Sequence, residues 1–195
     1  LTVEEIDRII SAVDRSKAEG QRNRAILETL YSCGLRVSEL VNLKLSDLYF
    51  DEGFIKVEGK GSKQRLVPIS PRAINEIKLY FTDRNRIEVK KEYEDFVFVS
   101  QRRGKGLSRI MIFHMIKELA QTAGIIKNIS PHTFRHSFAT HLLEGGANLR
   151  AIQCMLGHES IATTEIYTHI DRNMLRSEII EHHPRNIKYR KEKER

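Results

Sequence analysis

The sequence predicts a mainly α, α+β domain: helices along most of the chain and one small three-stranded antiparallel sheet near the N-terminal third. Three observations predict it. Apolar residues recur at helical spacing between residues that start and stop helices. Between residues 48 and 68 the period switches from 3.6 to 2, and two turns separate three apolar runs. The 195 residues are 40% hydrophobic and 30% charged, the composition of a globular domain large enough to bury a core without a disulfide or a metal.

Taken in order, Thr2-Val3-Glu4-Glu5 is a capping box opening a helix whose apolar face is Val3, Ile6, Ile9, Ile10 and Val13. A second helix runs over Gln21–Cys33 and stops at Gly34, the residue best suited to a left-handed cap. A short third helix covers Val37–Leu43. Leu48–Phe50, Phe54–Val57 and Arg65–Pro68 read as strands, with turns at Asp51–Gly53 and Gly59–Lys63. Ser70-Pro71 caps a helix to Phe81. Arg84–Glu94 reads as a surface loop and Phe96–Val99 as a lone strand. Ser108, Ser130 and Asn148 cap helices that end near Ala123, Glu144 and Leu156, each followed by glycine. Ser160 caps another to Tyr167, and a last helix spans Asn173–His182 before Pro184.

The formal charge is +7, and it is unevenly spread. Residues 51–110 hold 14 basic against 9 acidic side chains, and residues 185–195 hold 6 against 2. A basic patch is the electrostatic footprint of a polyanion partner, with a solvated basic face as the alternative. The tail past Ile187 has almost no apolar residues and is expected to be disordered. No apolar run reaches the ~18 residues of a membrane span. Cys33 and Cys154 form no CxxC and sit in helical segments, so both are expected to be buried and reduced, as in a cytoplasm. The first residue is Leu1, so an upstream segment is expected to be missing.

Several residues could carry chemistry. In His132-Thr133-Phe134-Arg135-His136, His132 and Arg135 are three apart and share a helix face, while Phe134, Phe138 and Leu142 lie on another. His132 and His136 lack the glutamate of a zincin helix and have no cysteine pair nearby, so no metal site is expected. His158 follows a helix-stopping glycine, Arg36 precedes a short helix with Glu39 one turn on, Lys60 sits at a glycine-flanked hairpin tip, and Tyr167 lies near a helix end. Taken singly, each is ordinary packing, capping or solvation, and His136 and His141 read as surface or capping residues. Taken together they supply two arginines to grip a phosphate, a lysine or histidine to move a proton, and a tyrosine able to attack. No carboxylate cluster or nucleotide-binding glycine loop is present, so no metal or nucleotide cofactor is implied.

The stretches Gly34-Leu35-Arg36-Val37-Ser38-Glu39-Leu40, Gly59-Lys60-Gly61-Ser62-Lys63-Gln64-Arg65-Leu66-Val67-Pro68, His132–His141, Leu156-Gly157-His158 and Tyr167-Thr168-His169 occur in one order. With them the chain resembles the catalytic domain of the tyrosine recombinase (phage integrase) family, from residue 1 to about Asn186. His182-His183-Pro184-Arg185 makes it most similar to XerC/XerD-type members. The resemblance implies a catalytic domain over residues 1–187, a basic tail over 188–195, and a helical core-binding domain that this chain lacks. It implies Arg36 and Arg135 as phosphate-binding arginines, Lys60 as general acid, His132 and His158 as the accessory histidines, Tyr167 as nucleophile and Glu39 in support. It also implies that the basic segment, with Lys63, Arg65, Arg102, Arg103 and Lys105, faces DNA. The implied partners are a double-stranded recombination site, a homo- or hetero-tetramer built by exchange of a C-terminal helix, and an accessory or partner recombinase. No cofactor is implied. A mobile-element integrase shares the chemistry. A type IB topoisomerase and a non-catalytic DNA-binding protein are the other classes.

Overall fold

The computed structural model of the chain describes residues 1–157 and 172–195. Helices and strands are numbered in chain order over those residues. Helix α1 (Val3–Ser11) opens as its sequence dictates: Thr2 Oγ1 accepts from the Glu5 amide at 3.1 Å, and the Glu5 carboxylate accepts from the Thr2 amide at 2.8 Å. It buries Ile6, Ile9 and Ile10. Helix α2 (Gly20–Cys33) is the centre of the fold. Every residue from Ala25 to Cys33 is buried, because α4 and α6 flank it. A helix covered in this way needs apolar residues around most of its circumference, and Ala25-Ile26-Leu27 with Leu30 and Tyr31 supplies them.

Gly34 ends α2 with φ +63°. A Cβ there would lie 2.3 Å from a ring carbon of Phe138 on α6. Glycine is therefore required twice, for the left-handed turn and for the close approach. That approach packs the end of α2 against α6 (Pro131–Glu144), and α3 (Val37–Val41) starts from the turn.

The sheet has the order β1 (Leu48–Tyr49), β2 (Phe54–Glu58), β3 (Gln64–Pro68), antiparallel throughout. Leu48 faces Ile55, and the β2–β3 register runs from Phe54↔Pro68 to Glu58↔Gln64. Ser70 Oγ accepts from the Ala73 amide at 3.2 Å to start α4 (Pro71–Arg84), and Ser108 does the same for α5 (Arg109–Thr122). Asn148 caps α7 (Leu149–Leu156) through two backbone amides. Helices α8 (Arg172–His182) and α9 (Pro184–Lys193) close the chain. One continuous core joins them, with Tyr31, Tyr80, Phe98, Phe134 and Phe138 as its largest buried side chains. Among the described residues no helix is long and apolar enough to cross a membrane.

The mainly helical fold with its small early sheet is the one expected. The side chains of Cys33 and Cys154 are buried, as expected. Four local expectations are corrected. The Arg84–Glu94 segment is not simply a surface loop: Arg84 ends α4 with 8% exposure and donates to the carbonyls of Glu94 and Phe96, and Lys91–Tyr93 forms a 3-10 turn. Phe96–Val99 makes isolated bridges to Lys44 and Gly106, not a strand. His141 is a buried link, not a surface or capping residue. Its Nε2 donates to the Leu1 carbonyl at 2.9 Å, which leaves Nδ1 to accept from the Tyr31 hydroxyl at 2.6 Å.

The basic tail is the fourth. It is helix α9, not a disordered end. Arg185 and Asn186 are buried, Lys188 reaches Asp7 at 3.2 Å, and Glu192 meets Arg72 at 3.6 Å. Polar anchors hold this helix, and apolar periodicity cannot reveal them. The helix expected from Ser160 to Tyr167 lies outside the described residues, as do His158 and Tyr167.

Candidate active site

The site begins where α2 stops. Gly34 turns the chain, and Arg36 becomes the residue that caps α3, with extended backbone. One turn later Glu39 points inward and is 3% exposed. Arg36 Nη1 donates to Glu39 Oε1 at 2.9 Å, while its side chain stays 42% exposed. A buried carboxylate is stable only if its oxygens are satisfied. Arg65 completes that satisfaction: Nη1 donates to Oε1 at 3.1 Å and Nη2 to Oε2 at 2.8 Å.

Arg135 approaches from α6. Its Nη1 donates to the Gly34 carbonyl at 2.7 Å and its Nη2 to the Leu156 carbonyl at 2.6 Å. These are the ends of α2 and α7, where helical carbonyls lack intrahelical partners and carry partial negative charge. Burial lowers the Arg135 guanidinium to about 10, the neighbouring charge of Arg36 pushes the same way, Glu39 opposes, and Arg65 adds to the lowering. The group still carries its charge at neutral pH.

Lys60 comes from the tip joining β2 and β3. The Gly59 amide donates to the Lys63 carbonyl at 2.7 Å and closes the tip. Gly61 at φ +72° makes the turn inside it. A Cβ on Gly59 would lie 3.4 Å from Arg65 Nη1 and 3.8 Å from Arg36 Nη1. The residue before Lys60 therefore packs against both guanidiniums. Arg36, Glu39 and Lys60 line one open cleft of about 790 Å³, together with Lys44 and Lys56. Against these four cations the wall carries the carboxylates of Glu39, Asp47 and Glu58, a formal balance of +1, which biases the cleft modestly towards an anionic ligand.

Of the residues expected at the site, Arg36, Glu39 and the Lys60 hairpin line the cleft, and Arg135 is near enough to feel the charges of Arg36 and Glu39 without lining it. His132 is exposed on the first turn of α6, three residues before Arg135, and does not line the cleft. His158 and Tyr167 lie outside the described residues. Lys63 is exposed at the hairpin. Arg102, Arg103 and Lys105 are exposed on a separate turn, closed by the Ser100 amide donating to the Lys105 carbonyl at 2.6 Å. None of these three lines the cleft. Arg65 departs from its expected place at DNA. Its side chain is 8% exposed, and Nε is occupied by the Met155 carbonyl at 2.9 Å. The strand pattern carried this signal: Arg65 and Val67 are two apart in β3 and share a face, and Val67 is fully buried. No group of three or more His, Cys, Asp or Glu that could hold a metal occurs among the described residues.

The model of the phage integrase family matches residues 1–174. The chain belongs to that family. It is 47% identical over 188 residues to the tyrosine recombinase XerD of Chlorobaculum tepidum and 45% identical over 185 residues to that of Pseudomonas putida, covering 95% of this chain in both cases. It spans 62% of the length of each of these relatives. Among solved structures, the XerA recombinase superposes with a TM-score of 0.73 at 39% identity, over 94% of this chain and 63% of that one. The XerH recombinase bound to its difH substrate gives 0.72 at 29% identity, over 87% and 50%. The integrase of mycobacterium phage Brujita gives 0.70 at 26% identity, over 93% and 56%.

Proposed function

We propose that this chain is the catalytic domain of a site-specific DNA recombinase of Xer type, which cuts and rejoins strands through a 3′-phosphotyrosyl intermediate. The observation that supports it most is a pair of guanidiniums bonded to one buried carboxylate beside the Lys60 hairpin, with a third, that of Arg135, near enough to feel their charges. Arg36, Arg65 and Arg135 against Glu39 leave a local charge of +2 among the described residues. A phosphodiester carries one negative charge, and its five-coordinate transition state carries two. A fixed positive site of that size stabilises the transition state more than the ground state, which is what accelerates a reaction.

In this reading the Tyr167 oxygen attacks the scissile phosphorus in line, and the bond to the 5′ oxygen breaks. Arg36 and Arg135 hold the non-bridging oxygens. Lys60 gives a proton to the departing 5′ oxygen, and His132 accepts the proton that the Tyr167 hydroxyl loses on attack. The 5′ hydroxyl of a partner strand reverses the step and displaces tyrosine, so the bond energy is conserved and no cofactor enters. Two duplex sites require four protomers, identical or from two recombinases. Helix α8 is the natural exchange element: in the single chain it buries Leu175 and Ile179 against its own α7 and β3, and the same face would serve a neighbour. Exposed Lys63, Arg102, Arg103 and Lys105 contact the phosphate backbone, so affinity falls steeply with salt. Identities of 43–47% to XerD proteins, against 26% to the phage integrase, favour chromosome or plasmid dimer resolution over mobile-element integration.

The test is covalent capture. The full-length protein is incubated with a nicked suicide duplex carrying the core site it selects from randomised DNA, and the products run on a denaturing gel. A protein–DNA band that Tyr167→Phe abolishes, with duplex binding retained, is the expected result. A band that survives Tyr167→Phe removes Tyr167 from the nucleophile's role.

A further inference from the structure

Arg65 lies in the basic hairpin yet is withdrawn from solvent, and its three donor nitrogens are all spoken for. Nη1 and Nη2 take the two oxygens of Glu39, and Nε takes the Met155 carbonyl. One side chain thus ties together three elements: α3 through Glu39, the end of α7 through Met155, and the Lys60 hairpin through its own strand, where it pairs with Val57.

The distribution of donors on Glu39 gives this tie a consequence for chemistry. Arg36 reaches only Oε1, which it shares with Arg65. Oε2 belongs to Arg65. A guanidinium and a carboxylate prefer to meet through two parallel bonds. Arg36 is denied the second bond because Arg65 already holds it, and so keeps donors directed at the open cleft. We infer that Arg65 is a positioning residue: it occupies the Glu39 carboxylate so that Arg36 stays singly bonded and free to hold the scissile phosphate. This rests on the recombinase reading of the site. It also replaces the expectation that Arg65 binds DNA directly.

Loss of Arg65 therefore does more than loosen the site. It leaves Glu39 with both oxygens open to Arg36, whose fork closes on the carboxylate and away from the cleft. Removing the charge of Glu39 in the same protein releases Arg36 again. Neutralising Glu39 also relieves the fold of an under-paired buried charge, so the rate is read on the folded protein beside its denaturation midpoint: a merely structural lesion recovers rate only as far as the midpoint recovers.

The experiment measures single-turnover adduct formation by the full-length protein on its selected suicide duplex, with Arg65→Met, Arg65→Lys, Glu39→Gln and the two double variants carrying Glu39→Gln. Arg65→Met is expected to slow the adduct about 100-fold at saturating DNA and Arg65→Lys less. Each double variant is expected to cleave faster than its Arg65 single variant. The salt dependence of duplex affinity is expected to stay as in the wild type. Arg65→Lys and its double carry the comparison if the methionine variant does not fold. The inference is overturned if the Arg65 variants cleave at the wild-type rate, or if the doubles are no faster than the singles. It is equally overturned if the slope of log affinity against log salt drops by about one phosphate contact. A wild-type protein that forms no adduct brings down the recombinase reading itself, and this inference with it.

Discussion

Two buried glutamates, eleven residues apart in sequence, show how the same chemistry serves two ends. Glu28 on α2 is 2% exposed and Glu39 on α3 is 3% exposed, and each is held by two arginines. At Glu28 the arginines are Arg72 and Arg185. Arg185 also pairs with Asp7, and Arg72 with Glu192. Three carboxylates there answer two guanidiniums and Lys188. At Glu39 one carboxylate faces Arg36 and Arg65, with Arg135 close enough that their charges depress it. Both arginines at Glu28 are largely buried, whereas Arg36 is 42% exposed to the cleft. The balanced cluster locks α9 to α1, α2 and α4. The unbalanced one keeps positive charge in reserve for a ligand.

The contrast can be broken at either cluster. Arg185→Met strips Glu28 and Asp7 of a shared partner and should cost about 3–5 kcal/mol in chemical denaturation, the usual result of breaking a buried pair. The folded fraction should cleave DNA at the wild-type rate. Arg36→Gln should do the reverse: adduct formation falls by about 10²–10³, near 3–4 kcal/mol of transition-state stabilisation, while the denaturation midpoint hardly moves.

A smaller effect follows from pH. His183 is 1% exposed, and its Nε2 donates to the Tyr31 carbonyl at 2.9 Å. Its Nδ1 has no hydrogen-bond partner among the described residues. Burial holds it at about 4, Arg185 and His141 pushing the same way against its bond to Tyr31. Between the ordinary value of 6.5 and that lower one, the unfolded chain takes a proton that the native chain refuses. Stability present above the upper value is therefore lost as pH falls towards the lower, by roughly 3 kcal/mol. His183→Gln should flatten that part of the stability profile, and a wild-type slope in the variant would contradict the assignment. The smallest change is Asn148→Ala, which uncaps α7 and should cost about 1 kcal/mol. Because α7 ends at the carbonyl that holds Arg135, cleavage should fall only slightly.

Local rules made most of the fold legible. The capping box at Thr2, the serine caps at Ser70 and Ser108, and Gly34 each act within one helical turn, so the sequence displays them. Arg36, Arg135 and Lys60 were legible through their motifs, each set by a nearby glycine or helix start. The fate of Arg65 was harder to read. A basic residue in a basic hairpin looks like a DNA contact until its strand face is compared with that of Val67. Arg36 is three residues from Glu39, but the other partners of Glu28 and Glu39 come from segments 26 to 157 residues away, a distance at which no periodicity operates. Helix α9 was missed for the same reason, since its anchors are Arg185, Lys188 and Glu192 in place of an apolar stripe.

The claim that the charge left over around Glu39 serves the scissile phosphate can be tested by changing the phosphate. Wild-type protein and Arg36→Gln would be compared on matched suicide duplexes carrying either the natural phosphodiester or an uncharged methylphosphonate at the cleaved position. The account predicts a loss of about 10²–10³ on the phosphodiester and about tenfold or less on the methylphosphonate, because the neutral group no longer needs the guanidinium. The same factor on both substrates would contradict it.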